Sequence, residues 1–152
     1  MNYRIATLDD AHIVGSMYRE FFAFNAEMQP LYNKEAESGD YPTNTIKSET
    51  ADIILAECDG RIAGFIHVLE DKTPPYDSVV PHKFAVVMDL FVLSQHRKKG
   101  AGVTLLNAAK EWARKRNLDY IELGVMPENE SALGLYMREK FQTVQHLMRC
   151  EL

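Results

Sequence analysis

A basic, glycine-containing turn between a buried strand and an amphipathic helix constrains this chain more than any other feature. Residues 84–93 are almost entirely apolar, which is typical of a strand buried on both faces. Residues 97–102 then read Arg-Lys-Lys-Gly-Ala-Gly, and apolar residues recur at helical spacing over 103–113. Glycines let successive main-chain N–H groups point one way, and a helix N-terminus adds the positive end of its dipole. The segment therefore predicts a site for a phosphate or pyrophosphate.

The spacing of the glycines in this turn limits the kinds of phosphate-containing ligand that fit it. The pattern is Arg-x-x-Gly-x-Gly, which differs from Gly-x-Gly-x-x-Gly and lacks the Gly-Lys-Ser/Thr of a nucleotide-hydrolase loop. Neither a nicotinamide dinucleotide nor ATP therefore fits it well. Taken alone, the pattern also suits an ordinary helix start with a solvated basic turn.

Composition sets limits on size, partners and location. The chain has 152 residues, 46% of them hydrophobic, which favours one globular domain. With 17 Lys and Arg against 22 Asp and Glu, the net charge is −5, so nucleic acid and anionic membranes are not expected partners, whereas a small cationic substrate is compatible.

Two cysteines without a CxxC spacing or a Cys/His cluster predict no metal site. The sequence shows no signal peptide and no apolar run long enough to span a bilayer, so we expect a cytoplasmic protein.

Hydrophobic periodicity predicts the order β-α-(α)-β-β-β-α-β-α-β. Asp59-Gly60 between two apolar runs is the strongest hairpin signal. Strands are expected at 3–6, 52–58, 61–69, 84–93, 120–125 and 141–150, and helices at about 9–25, 103–116 and 127–140, with at most a short helix in 28–50. This alternation indicates a mixed sheet with helices on its faces.

Residues on both sides of the turn complete a recognisable set. Leu90-Phe91-Val92 precedes it, and Asn129-x-x-Ala132-x-x-x-Tyr136 follows after one more strand. This ordered set resembles the GNAT superfamily of acetyl-CoA-dependent N-acetyltransferases, and the resemblance covers nearly the whole chain. It implies a single N-acetyltransferase domain over 1–152 with the α/β acyl-CoA N-acyltransferase fold. That fold has a central mixed, mostly antiparallel sheet of about six or seven strands flanked by about four helices. Because members of this family frequently pair, we also expect a homodimer with the last strand as its contact.

The resemblance implies a role for each matching residue. The turn would hold the coenzyme A pyrophosphate with backbone N–H groups, and the preceding strand would pair with the pantetheine arm and polarise the thioester carbonyl. Tyr136 would protonate the departing thiolate, although it shares a helix face with core residues and also suits packing. The residues implied to bind acetyl-CoA are Leu90, Phe91, Val92, Arg97, Lys98, Lys99, Gly100, Ala101, Gly102, Asn129 and Tyr136.

The base that takes the proton from the amine is less clearly marked. The family often carries a Glu on the strand before the turn, near Met88 and Asp89, and Met88 cannot accept a proton. Asp89 is the nearest carboxylate and the first candidate base, and Glu122 on the next strand is the second. Each carboxylate also fits an interpretation without catalysis. Asp89 could be hydrogen-bonded by neighbouring groups in the strand, and Glu122 could be a solvated side chain.

The sequence leaves more than one possibility for the acceptor and for the kind of function. Loops 28–50 and 71–81 are the expected acceptor site, and the first combines carboxylates with tyrosines that suit a cationic amine. The expected acceptor is a primary amine of a small molecule or a protein. The alternative function is a non-catalytic acyl-CoA-binding or sensing domain, and a third is a nucleotide-binding signalling protein.

Overall fold

A five-stranded sheet in the order β1-β2-β3-β4-β5 forms the centre of the fold. The computed structural model describes residues 1–152. The strands are β1 (Asn2–Ile5), β2 (Ala51–Cys58), β3 (Arg61–Lys72), β4 (Lys83–Val92) and β5 (Ile121–Leu123). The helices are α1 (Ala11–Met28), α2 (Tyr41–Ile46), α3 (Ala101–Lys115) and α4 (Glu130–Arg138). Strands β1 to β4 are antiparallel and β5 is parallel to β4, which confirms a mixed, mostly antiparallel sheet with four helices.

The hairpin β2–β3 forms where the sequence predicts it. Asp59 and Gly60 both have positive φ, at 51° and 73°, as a two-residue turn between twisted strands requires. Ile54, Leu55 and Ile66 in these strands are buried, so both faces of the sheet are covered.

Each face of the sheet carries its own core. Helix α3 packs its apolar stripe on one face, and its Trp112 indole donates a 2.7 Å hydrogen bond to Asp52. Helix α1 covers the other face with Val14, Met17 and Tyr18, which pack with Phe65 and Phe91. No helix of the fold has the length and apolarity needed to cross a membrane.

Strand β4 contains a bulge that decides which way its later residues point. His67 of β3 pairs with Asp89 and Val68 pairs with Val87, which leaves Met88 without a partner. Val87 packs in the α3-side core, whereas Asp89, two residues later, contacts Tyr18 of α1 on the opposite face. An extra residue in one strand has this effect on side-chain alternation, and it directs Asp89 toward α1.

The predicted last strand over 141–150 is wrong, and the sheet has five strands instead of six or seven. Phe141 still packs against Tyr136, but residues 142–152 are exposed and make no main-chain hydrogen bond. A strand needs a neighbour to satisfy its N–H and C=O groups, and this tail has none within its own chain. Its apolar side chains Val144, Leu147 and Met148 therefore face solvent.

Candidate active site

The turn before α3 presents a row of unpaired main-chain donors. The last N–H before it, that of Arg97, donates to Ser94 O, and the first helical bond runs from Thr104 N to Gly100 O at 2.9 Å. The six N–H groups from Lys98 to Val103 lie between them and donate to no main-chain carbonyl. No side chain caps the helix. Such a cluster of free donors at a helix N-terminus suits a bound anion.

Two residues in the left-handed region shape this row of donors, which we call the amide cradle (residues 98–103). Gly100 has φ +90° and Lys98 has φ +58°, and these reversals let the chain turn into α3. A Cβ on Gly102 would lie 2.8 Å from Leu135 Cδ2, so its lack of a side chain lets α4 approach α3 closely beside the cradle.

Arg97 lies directly before the cradle and supports it through side-chain contacts. Its Nε donates to Val92 O at 2.9 Å, and its guanidinium lies 4.8 Å from the centre of the Phe24 ring and 5.7 Å from that of Phe91. The side chain thus ties the turn to β4 and α1. Lys98 and Lys99 are exposed and supply positive charge at the cradle itself.

Strands β4 and β5 separate next to the cradle. Their pairing covers only Ala85–Val87 of β4 and Ile121–Leu123 of β5. The later residues Leu90 to Val92 therefore pair with β3 on one side and have no strand on the other. This free edge can hydrogen-bond an extended ligand that runs alongside it.

Tyr136 and Asn129 lie on α4 and at its start. Tyr136 is 8% exposed in the α3-side core, and its hydroxyl has no protein partner, while burial raises its pKa to about 12. Lys140 takes a left-handed φ of +73° and the Phe141 N–H donates to Tyr136 O, which ends the helix cleanly. Asn129 accepts a 3.1 Å hydrogen bond from Ala132 N, so its side chain caps α4.

A second group of polar side chains surrounds Asp89 on the opposite face of the sheet. The Tyr18 hydroxyl donates to Asp89 Oδ2 at 2.8 Å, and His67 Nδ1 lies 3.6 Å from the same oxygen. Tyr41 Oη and His67 Nδ1 are 2.9 Å apart and share a hydrogen bond. We call these four residues the Asp89 cluster.

The environment of the Asp89 cluster keeps both tyrosines protonated. Burial, and then the negative charge of Asp89, raises the pKa of Tyr18 well above its usual range. The same two causes, in the same order, raise the pKa of Tyr41 to about 12. Both hydroxyls therefore remain hydrogen-bond donors at neutral pH.

Comparison with known proteins decides the family. Residues 14–141 match the model of the acetyltransferase (GNAT) family. This chain belongs to the GNAT family. The uncharacterized N-acetyltransferase YhfO of Bacillus subtilis (strain 168) is 28% identical over 142 residues, which cover 93% of this chain and 90% of YhfO.

Solved structures show the same fold as this GNAT chain. A mutant of the BH1408 protein from Bacillus halodurans superimposes with a TM-score of 0.91 at 19% identity, covering 100% of this chain and 99% of that one. The aminoglycoside N-acetyltransferase AAC(6')-Iy in complex with CoA superimposes with a TM-score of 0.75 at 12% identity, covering 99% and 98%.

The two candidate bases differ in their surroundings in this GNAT chain. Asp89 lies in the cluster described above. Glu122 is exposed, pairs with Val86 across the β4–β5 ladder, and makes no hydrogen bond or ion pair with the Asp89 cluster. The two carboxylates therefore do not act as a pair in this fold.

Two members of the Asp89 cluster, Tyr18 and His67, have no distinctive signal in the sequence, whereas Tyr41 is one of the tyrosines of the predicted acceptor loop 28–50. Tyr18 falls in the apolar stripe of α1, His67 in a predicted strand, and Tyr41 in the polar segment 28–50. The register of β3 against β4 places His67 opposite Asp89, and the bulge at Met88 turns Asp89 toward α1. The packing of α1 and α2 on that face brings Tyr18 and Tyr41 to the same point. The carboxylates of the first acceptor loop are not part of this cluster, and its Glu37 pairs with Arg19 at 3.3 Å.

Proposed function

We propose that this protein transfers the acetyl group of acetyl-CoA to a primary amine of a small molecule or protein, by direct attack within a ternary complex. The observation that carries the proposal is the amide cradle, whose six free N–H groups suit the coenzyme pyrophosphate. A related fold in complex with CoA supports the choice of ligand. We further propose that residues 1–152 form one catalytic domain.

The residues of this chain divide the binding task between them. The cradle and the charges of Lys98 and Lys99 hold the diphosphate, and the free edge of Leu90 to Val92 lies where an extended pantetheine arm can pair with it. Acetyl-CoA supplies the activated acetyl thioester. A preorganised N–H of β4 directed at its carbonyl oxygen would contribute about 3 kcal/mol to transition-state stabilisation.

The proposed chemistry also requires a group that favours loss of the amine proton and a group that protonates the sulfur. An ammonium with a pKa of roughly 10.4 must lose a proton before it can attack, and the half-buried carboxylate of Asp89 would supply the negative charge that favours that loss. At the leaving side, Tyr136 has a free hydroxyl that its raised pKa keeps protonated, so it remains available to donate to the sulfur.

The proposed function is tested by CoA binding and by transfer to a panel of amines. Calorimetry with CoA and acetyl-CoA is expected to give saturable binding, whereas ATP and GTP should not bind. Release of free thiol should then depend on an amine in the panel. Binding of acetyl-CoA without transfer to any amine would favour the non-catalytic binding or sensing function, and no binding at millimolar CoA would overturn both.

Tyr136→Phe should slow acetyl transfer by ten-fold or more and leave the Kd for CoA almost unchanged. The change removes only the hydroxyl, which has no protein partner, so packing in the α3-side core is preserved. The measurement is kcat with the best amine, alongside the Kd for CoA. Tyr3→Phe on β1 is the matched control, and an equal rate for the two variants would remove Tyr136 from the mechanism.

We also propose a homodimer, with the apolar tail as its contact. Residues 142–152 carry exposed Val144, Leu147 and Met148, and the outer edge of β5 has no neighbouring strand. A second copy offers both a tail and an edge, so two copies can complete each other's sheets. Sedimentation equilibrium should show a dimer for the full chain and a monomer after deletion of 142–152. A full-length monomer at micromolar concentration would contradict the proposal.

A further inference from the structure

The Asp89 cluster is unusually polar for its position. It lies beside the α1-side core of Met17, Phe65 and Phe91, yet its histidine is 2% exposed and its carboxylate only 18%. Burial of an ionised carboxylate and an imidazole costs free energy that apolar residues of similar size would not cost. The hydrogen bonds within the cluster offset part of that cost, and a role in proton transfer would explain why the arrangement is present at all.

The four side chains form a connected path with one open end. Tyr41, at 37%, is the most exposed member, and it lies at the start of α2 directly after the loop 29–40. Its hydroxyl is 2.9 Å from His67 Nδ1, and His67 Nδ1 is 3.6 Å from Asp89 Oδ2. Tyr18 donates to Asp89 and holds the carboxylate in place, and its hydroxyl also lies 3.4 Å from His67 Nδ1.

We infer that Tyr41, His67 and Asp89 form a proton relay, in which the Tyr41 hydroxyl meets the amine, His67 stores the proton and Asp89 stabilises the imidazolium. The inference rests on the proposed function and assigns the path of its proton. Because His67 is buried, it acts through Tyr41 and is a positioning residue, whereas Tyr41 is the catalytic residue that touches the substrate.

The proton movement balances in two steps. The Tyr41 hydroxyl takes a proton from the ammonium nitrogen while it passes its own proton to His67 Nδ1, so Tyr41 stays neutral and the amine becomes nucleophilic. The amine nitrogen then bonds to the acetyl carbonyl carbon and loses its second proton to solvent, while the carbon–sulfur bond breaks and the electron pair leaves with the thiolate, which takes a proton from Tyr136; solvent returns that proton to Tyr136. His67 then carries a positive charge next to the negative Asp89, and solvent removes the proton through Tyr41 after turnover.

The groups that face His67 are few and their effects are clear. Tyr18 faces it from α1, Tyr41 from α2 and Asp89 from β4, and its partner on β2 is the apolar Ile53. Asp89 is therefore the charged group beside His67. A histidine that accepts a proton in each turnover must first be neutral, so a relay that ends on it produces an acid limb in the rate profile.

The decisive experiment compares His67→Gln, Tyr41→Phe and the double variant across pH 5–9 at saturating substrates. We expect each single variant to lower kcat by ten-fold or more and to replace the acid limb of the wild-type profile by a rate that still rises at pH 9, because the ammonium must then lose its proton to solvent. The double variant should be no slower than the slower single variant, because both changes interrupt one path. CoA binding should stay within two-fold of wild type in all three.

A readout independent of turnover uses nitrogen NMR of the imidazole rings. Position 41 is partly exposed, so Tyr41→Phe should retain the fold, and the chemical shift of the His67 Nδ1 nitrogen should differ from wild type because that nitrogen loses its 2.9 Å partner. An acid limb in His67→Gln that matches the wild-type one, or losses that multiply in the double variant, would overturn the relay. In that event transfer by the wild type still stands, whereas failure of the proposed function would show no transfer by wild-type protein to any amine.

Discussion

Replacing Gly100 with valine should weaken CoA binding on the order of 100-fold. Gly100 has φ +90°, which a β-branched residue adopts only under strain, and it lies within the amide cradle. Relief of that strain would rotate the neighbouring N–H groups away from a common ligand. A hundred-fold loss corresponds to about 2.7 kcal/mol, within the range of such backbone strain. The measurement is the Kd for CoA by calorimetry.

Gly60→Val is the matched control for this prediction. Gly60 also has a positive φ, at 73°, and a Cβ at either glycine would meet nothing within 4 Å. The two variants should therefore lose comparable stability in thermal unfolding, because both force the same kind of strain. Only the Gly100 variant should lose CoA affinity. Equal affinity in the two variants would show that the cradle does not bind the coenzyme.

Much of the fold follows from local patterns in the sequence. The Asp59-Gly60 turn, the apolar run of β4 and the helical spacing of α3 each specify their element without help from distant residues. The amide cradle was also predictable, because a glycine turn followed by a helix leaves free N–H groups wherever it occurs.

Two features could not be predicted from the sequence, because each depends on contacts between segments that are distant in the chain. The segment 141–150 has the apolar content of a strand, but a strand also requires a paired neighbour, and this segment hydrogen-bonds to neither free edge of the sheet. The Asp89 cluster depends on the bulge at Met88, which reverses the side on which Asp89 lies. No local pattern marks a bulge, so His67 reads as an ordinary strand residue in the sequence.

Asp89→Asn should lower kcat for acetyl transfer by about 100-fold or more, within the range of general acid–base catalysis. Asparagine keeps the shape of the side chain and an oxygen that can accept from the Tyr18 hydroxyl at its 2.8 Å position. It lacks the negative charge that favours removal of the amine proton and that would balance a protonated His67. The measurement is kcat and the Kd for CoA, and the Kd should remain close to wild type.

Glu122→Gln makes the comparison between the two candidate carboxylates. Both substitutions exchange a carboxylate for an amide of the same size, but Glu122 is exposed and pairs through its backbone with Val86. We expect its kcat to stay within two-fold of wild type, since a solvated carboxylate with no contact to the cluster stabilises no buried proton. The reverse outcome, a large loss in Glu122→Gln and none in Asp89→Asn, would transfer the role of base to β5. It would also leave the buried cluster with a purely structural role, because the charge at its centre would then contribute nothing to the transfer of the proton.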